Sequence, residues 1–134
     1  MTTLAEESRS TVERFVKALV AHRLDDARGL LHDEFVVYEA GGVPFSGEYR
    51  GPQGFFDLFE AINKNLELTL DPSVQYLVAD GSVAMCSRMK FTARGSGKSV
   101  EVGLVEVYAV RDGLIVELDV YYKDPSAVAA LLVP

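Results

Sequence analysis

Two acids stand out by the company they keep. Glu39 closes the run "FVVYEA" and Glu106 interrupts "GLVEVYAV", so each sits among strand-forming apolar residues. A carboxyl drawn into apolar surroundings keeps its proton to higher pH, because desolvation penalises the charged form, and proteins obtain acids and bases that work near neutrality in this way. A Glu at a strand end is also commonly solvated or paired with Lys or Arg. Residue types alone leave both readings open.

The remaining motifs carry less. "GSGKS" at 95–99 fails as a phosphate loop, since the first glycine would fall at Thr92 and a strand follows, so it reads as a hairpin turn. His22 and His32 lie near helix ends without a second histidine at ligand spacing, and read as surface or capping residues. The single cysteine, Cys86, has no disulfide partner and no companion for a Cys-based metal site, and reads as a core thiol. Neither a G-x-S-x-G elbow nor a Cys–His pairing is visible. The expectation is chemistry with no metal and no cofactor.

The elements that must position the two acids follow from periodicity. Val12, Phe15, Val16 and Leu19 recur at helical spacing, and Thr3 with Glu6 has the spacing of a capping box, which predicts a first helix beginning near Thr3. A second short helix is expected over 25–31, with Leu24, Ala27, Leu30 and Leu31 as its apolar face. "FVVYEA" is a strand, and "GGVPFSGEYRG" at 41–51 a loop or irregular hairpin broken by its glycines and Pro44. Pro52 suits the first turn of a third helix running through Phe55, Phe56, Leu58, Phe59 and Ile62. From "LELTL" to residue 122 the chain reads as strands, separated by the turns "DG" and "RDG", and Asp124 with Pro125 caps a terminal helix. Helices first and a long antiparallel meander afterwards predict one α+β domain over 1–134, with helices packed on one face of a curved sheet.

Totals fit that picture. The 134 residues include 49% hydrophobic and 25% charged, and 13 basic against 20 acidic residues leave a net charge of −7 without a basic cluster. Nucleic acid and anionic membrane surfaces are therefore disfavoured as partners. No stretch approaches the ~20 apolar residues of a membrane span, and the N-terminus lacks the pattern of a signal peptide, so the cytoplasm is the expected location.

Alternation assigns faces to the strands. Val83, Met85, Ser87, Met89 and Phe91 form the core side of their strand, opposite Arg88 and Lys90. In the last strand Leu114, Val116, Leu118, Val120 and Tyr122 share the core side, opposite Ile115, Glu117, Asp119 and Tyr121. Between them, Leu104, Glu106, Tyr108 and Val110 oppose the equally apolar Val105, Val107 and Ala109. Two apolar faces suggest helices on one side and a second copy on the other, a homodimer through the outer face, and on that outer face Arg88 and Lys90 are expected to meet Glu117 and Asp119.

The stretches "ERFVKALVAHRLDDARGLLHDEFVVYEA", "FSGEYRGPQGFFDLF" and above all "VYAVRDGLIVELDVYYKDPSAVAALL" give the whole chain a resemblance to the SnoaL-like group of the nuclear-transport-factor-2-like superfamily, which includes ketosteroid isomerases and polyketide cyclases. The resemblance implies a cone-shaped barrel of strongly bent, mainly antiparallel sheet, with N-terminal helices closing an apolar pocket. It sets Glu39 where ketosteroid isomerases carry their catalytic base, and Glu106 where they carry the protonated acid that hydrogen-bonds the oxyanion. This chain departs from them at Phe15 and Phe59, which stand where those isomerases have tyrosines. Loss of one oxyanion donor typically costs ~3 kcal/mol of transition-state stabilisation, which disfavours efficient ketosteroid isomerisation.

The resulting expectation is acid/base chemistry on a small apolar substrate: proton-transfer isomerisation, cyclisation, hydration or dehydration, with Glu39 as base and Glu106 as acid or hydrogen-bond donor. Phe15, Leu19, Val37, Phe55 and Phe59 would line the pocket from the helices and first strand. Met85, Ser87, Met89, Leu104, Leu118 and Val120 would line it from the sheet, and Ser87, Tyr108 and Tyr122 would add polar contacts. The alternative is a binding or dimerisation domain of the same fold that runs no reaction, and the sheet's inward apolar residues are then ordinary core.

Overall fold

In the computed structural model, residues 2–133 are described. Helix α1 spans Leu4–Val20, its start fixed by the Thr3 side chain, which accepts from the Glu6 N–H at 3.1 Å. Val12, Phe15 and Ala18 are buried along one face, as their spacing predicts. Helix α2 covers only Leu24–Arg28, shorter than expected. Gly29 ends it, and Leu31 already belongs to strand β1, Leu31–Glu39.

The glycine-rich segment after β1 is the irregular hairpin that its composition suggests, returning as β2, Gly47–Arg50, antiparallel to β1. Helix α3, Gly51–Asn65, has Pro52 in its first turn, where the missing N–H removes no helical bond. Strands β3 (Leu66–Leu70), β4 (Gln75–Ala79), β5 (Ser82–Ala93), β6 (Ser99–Arg111) and β7 (Leu114–Tyr122) follow, and then α4, Pro125–Ala130. The Asp124 side chain caps α4 by accepting from the Ala127 N–H at 3.2 Å.

One seven-stranded sheet runs β2-β1-β7-β6-β5-β3, and β4 pairs with the other half of the β5 edge. The long hairpin β5–β6 pairs from Ser82↔Ala109 to Thr92↔Ser99, and its far edge divides, β3 taking 89–93 and β4 taking 82–86. A right-twisted sheet with strands this long curls, and α1 and α3 fill the concave side, which gives the expected half-barrel. The meander is antiparallel, but its last strand lies parallel to the first strand of the chain: β1 pairs β7 as Val37↔Leu118 and Tyr38↔Asp119. That parallel pair makes the sheet mixed and brings Glu39 beside the meander.

Two irregularities break strict alternation. Between Ala109↔Glu117 and Val110↔Ile115 strand β7 carries one extra residue, Val116, a bulge. Ile115, expected on the outer face, is thereby turned inward and fully buried, while Val116 is only half-buried. In β1 the pairing with β7 breaks between Leu31 and Val36, and Phe35, Val36 and Val37 are all buried. On the outer face Arg88 pairs with Glu101 across the β5–β6 hairpin at 2.7 Å rather than with Glu117, and Asp119 accepts from Tyr121 at 2.8 Å. Among the described residues no helix is long and apolar enough to cross a membrane.

Candidate active site

The concave side of the sheet is not fully packed. A cavity of about 530 Å³ remains between α1, α3 and strands β1, β3, β5, β6 and β7. It is the size of a small-molecule site, and its walls are mostly apolar. From the helices it receives Val16, Leu19, Phe55, Leu58, Phe59 and Ile62, and from the sheet Val37, Met85, Met89, Leu104, Leu118 and Val120.

Both singled-out acids reach it. Glu106 pairs with Val120 across β6–β7, and the parallel register on the other side of β7, one step beyond Tyr38↔Asp119, brings Glu39 level with the same Val120. The two carboxyls thus flank one strand on one face, their Cα atoms two strand spacings apart, roughly 10 Å. Both line the cavity together with Tyr108 and Tyr122.

Each acid has its own polar partners. The Ala40 N–H donates to Glu39 Oε1 at 3.0 Å, and the Tyr122 hydroxyl faces the same carboxyl. Burial nevertheless dominates and pushes the Glu39 pKa up to about 7; the Ala40 N–H opposes this, and the nearby Glu106 adds a smaller upward push. Glu106 is likewise pushed up to about 7 by burial, against a weaker opposing bond from the Tyr108 hydroxyl, which donates at 3.4 Å. Burial first, and the neighbouring carboxyls second, raise both tyrosines, so each keeps its proton as a donor.

Near pH 7 each carboxyl therefore stands close to half-protonated. An array holding one ionised and one protonated carboxyl in a cavity with apolar walls can take a proton from carbon and stabilise the oxygen that becomes negative. Among the described residues, no three His, Cys, Asp or Glu side chains gather in the manner of metal ligands.

Two sequence-derived pocket residues lie elsewhere. Phe15 is 1% exposed and packed edge-on against Phe55 and Tyr108, with ring centroids at 5.3 and 6.2 Å, so Val16 and Leu19 present the α1 surface to the cavity instead. The rotation of ~100° per residue turns position 15 toward the sheet and position 16 toward the opening. Ser87 is on the core side of β5 as alternation predicts, but its Oγ is buried without a hydrogen-bond partner and does not line the cavity. Phe59 does line it, stacked on Phe55 at 6.1 Å, where no hydroxyl is available to support a substrate oxygen.

Sequence reasoning also missed residues that do line it. His22, Asn63, Leu68, Thr69, Leu70, Pro72 and Phe91 border the cavity. Most come from helix ends and from the short strand β3, where no long apolar pattern marks a face. The signal available was alternation in "LELTL", which sets Leu68 on the inward side.

Comparison with known proteins agrees with this architecture. The model of the family described as SnoaL-like domain matches residues 12–118. No curated protein matches the chain. Among solved structures, an NTF2-like protein from Burkholderia thailandensis superposes with a TM-score of 0.84 at 23% identity, over 95% of this chain and 98% of its own. A candidate polyketide cyclase from Xanthomonas campestris gives 0.81 at 14% identity, over 96% and 99%. An LEH-like epoxide hydrolase from M. tuberculosis gives 0.73 at 19% identity, over 94% and 90%. At these identities the likeness shows the shared fold.

Proposed function

Because the chain belongs to the SnoaL-like domain family, we propose that it is an enzyme of that fold that moves a proton at carbon beside a carbonyl in a small apolar substrate, as an isomerase or cyclase of this kind requires. The observation that carries this reading is the pair of carboxyls flanking Val120 on the cavity floor, both held near pH 7. Names of structural neighbours, a candidate polyketide cyclase and an epoxide hydrolase, support small-molecule chemistry in such a cavity.

The roles follow from the partners. Glu39, whose charged form is favoured by the Ala40 N–H, is the base: its carboxylate takes the α-proton while the C–H electrons pass into the forming enolate. Glu106 has only the longer Tyr108 bond, at 3.4 Å, to favour its charged form, so it is the carboxyl that keeps its proton and donates a hydrogen bond to the enolate oxygen. Return of the proton from Glu39 to the same or a conjugated carbon completes exchange or isomerisation. Walls of Leu, Val, Phe and Met exclude water, which strengthens each of these interactions.

The test is deuterium uptake. A panel of aryl and alicyclic ketones in D₂O, followed by NMR, should show enzyme-dependent exchange at the α-carbon, and Glu39→Gln should lower that rate by about 10² to 10⁴. Exchange that survives Glu39→Gln unchanged would overturn the assignment.

A further inference from the structure

Helix α1 ends in a way that its sequence does not call for. The Arg23 N–H donates to the Ala18 carbonyl at 2.8 Å and the His22 N–H to the Leu19 carbonyl at 3.1 Å, which together form a Schellman motif with His22 at its left-handed position. This site takes glycine by preference, because a Cβ is unfavourable at positive φ. His22 nevertheless occupies it at φ +57°. The other non-glycine residue at positive φ among the described residues, Asp112, sits in the tight Asp112–Gly113 turn between β6 and β7.

What distinguishes His22 is its place. It lines the cavity although it is exposed, as do Val20, Thr69 and Pro72, so these four mark the mouth, while Val37, Met85 and Tyr108 are buried at the floor. Asn63, from the last turns of α3, borders the same cavity, its amide held by donating to the Phe59 carbonyl at 2.9 Å. His22, Asn63 and Thr69 are thus the polar residues of a lining that is otherwise apolar apart from the two carboxyls and their tyrosines, and of these Thr69 lies on the strand face opposite Leu68 and Leu70.

We propose that His22 is a specificity-determining residue at the mouth, donating a hydrogen bond to an acceptor group at the end of the substrate remote from the reacting carbon. Asn63, on the cavity face of α3 with Phe59 and Ile62, is the polar residue beside it. This rests on the acid/base reading of the floor and adds the substrate class: an elongated molecule with an apolar body, a carbonyl at the inner end and a carboxylate or neutral carbonyl at the outer end. A non-glycine residue held at positive φ beside a cavity is the kind of local strain that clusters at functional sites.

The experiment uses three acetophenones with a three-carbon chain at the para position, ending in a carboxylate, a primary amide or an isopropyl group. Affinity is measured by calorimetry and α-methyl exchange in D₂O by NMR, for the wild type, His22→Gly and Glu39→Gln. The wild type should bind the two polar-ended probes more tightly than the isopropyl probe, and His22→Gly should cut that preference by about tenfold, the worth of one hydrogen bond to a polar ligand. Its thermal midpoint should stay level or rise, since glycine relieves the left-handed residue, and this separates lost recognition from lost folding. Equal binding of all three probes, or a preference that His22→Gly leaves intact, overturns the proposal. Failure of the floor reading shows separately, as exchange that persists in Glu39→Gln whatever the probe preference.

Discussion

Glu39 and Glu106 decide how activity and stability respond to pH. Each pKa lies at about 7 in the folded chain, against an ordinary value of 4.5. The folded state therefore holds more protons than the unfolded chain between those values, and stability is greatest below about 4.5 for these groups and is lost as pH rises through about 7. At 1.36 kcal/mol per pKa unit the loss is roughly 3 kcal/mol for each carboxyl considered alone. Glu106→Gln, which cannot ionise, should consequently raise the urea midpoint at pH 8 and leave it nearly unchanged at pH 4; a gain that is equal at both would show that Glu106 is not held protonated by its site. In catalysis the active form has Glu39 ionised and Glu106 protonated, so kcat/KM for ketone exchange should be a narrow bell centred near pH 7, its two limbs belonging to the coupled pair. Glu106→Gln should remove the alkaline limb and leave a rate that rises through Glu39 ionisation to a lower plateau. Both acids were visible in the sequence because each stands alone in an apolar run. Their mutual placement was not, because it depends on a parallel pairing between strands more than seventy residues apart.

Among the elements, α3 supplies five residues of the cavity lining, Phe55, Leu58, Phe59, Ile62 and Asn63, and its seating depends on one glycine. An alanine Cβ at Gly54 would lie 3.0 Å from the Tyr49 backbone carbonyl carbon, tight enough that the backbone must give by a few tenths of an ångström. Helix propensity favours Gly→Ala by about 1 kcal/mol, whereas forcing a packed helix off its neighbour costs typically 1–3 kcal/mol. The clash is with backbone and cannot be relieved by a rotamer, so Gly54→Ala should lower the stability read from urea unfolding by up to about 2 kcal/mol and shift Phe55 and Phe59 at the cavity. A gain in stability would mean that α3 lies farther from β2 than this. Element types were legible throughout the chain: the Thr3 and Asp124 caps, Pro52 and the hairpin turns all stand where their chemistry predicts. What the sequence does not display is register. The extra residue at Val116 reverses the facing of Ile115, and nothing in "GLIVELDVYY" marks it, because Leu114, Ile115 and Val116 are all apolar and fit either side. Phe15 and Val16 are indistinguishable by type as well, and only the helix's rotation against the sheet sends one into the core and the other to the cavity.

For the whole molecule the open question is what covers the sheet's convex side, since α1 and α3 occupy the concave one. Val105, Val107 and Ala109 of β6 and Ala84 and Cys86 of β5 point outward and are half-buried by their own neighbours, while Tyr121 of β7 remains 54% exposed. Basic Arg88 and Lys90 lie on the β5 flank of this stripe, and Glu117 and Asp119 on the β7 flank. A twofold axis crossing β6 would lay the apolar stripe of one copy on that of the other, with the charged groups of both flanks at its rim. Within one chain Arg88 and Lys90 do not reach Glu117, because β6 lies between β5 and β7. We propose that a second copy docks here. Light scattering at micromolar concentration should then give twice the 14.7 kDa mass of the chain. Val107→Glu, which puts a charge at the centre of the stripe, should weaken the dimer at least tenfold, since an unpaired buried charge is costly. Lys90→Glu should weaken it less, and in a manner that depends on salt, because its charge lies toward the rim. A monomeric mass for the wild type, or a dimer indifferent to Val107→Glu, would place any association on another surface and leave this stripe as the uncovered back of the half-barrel.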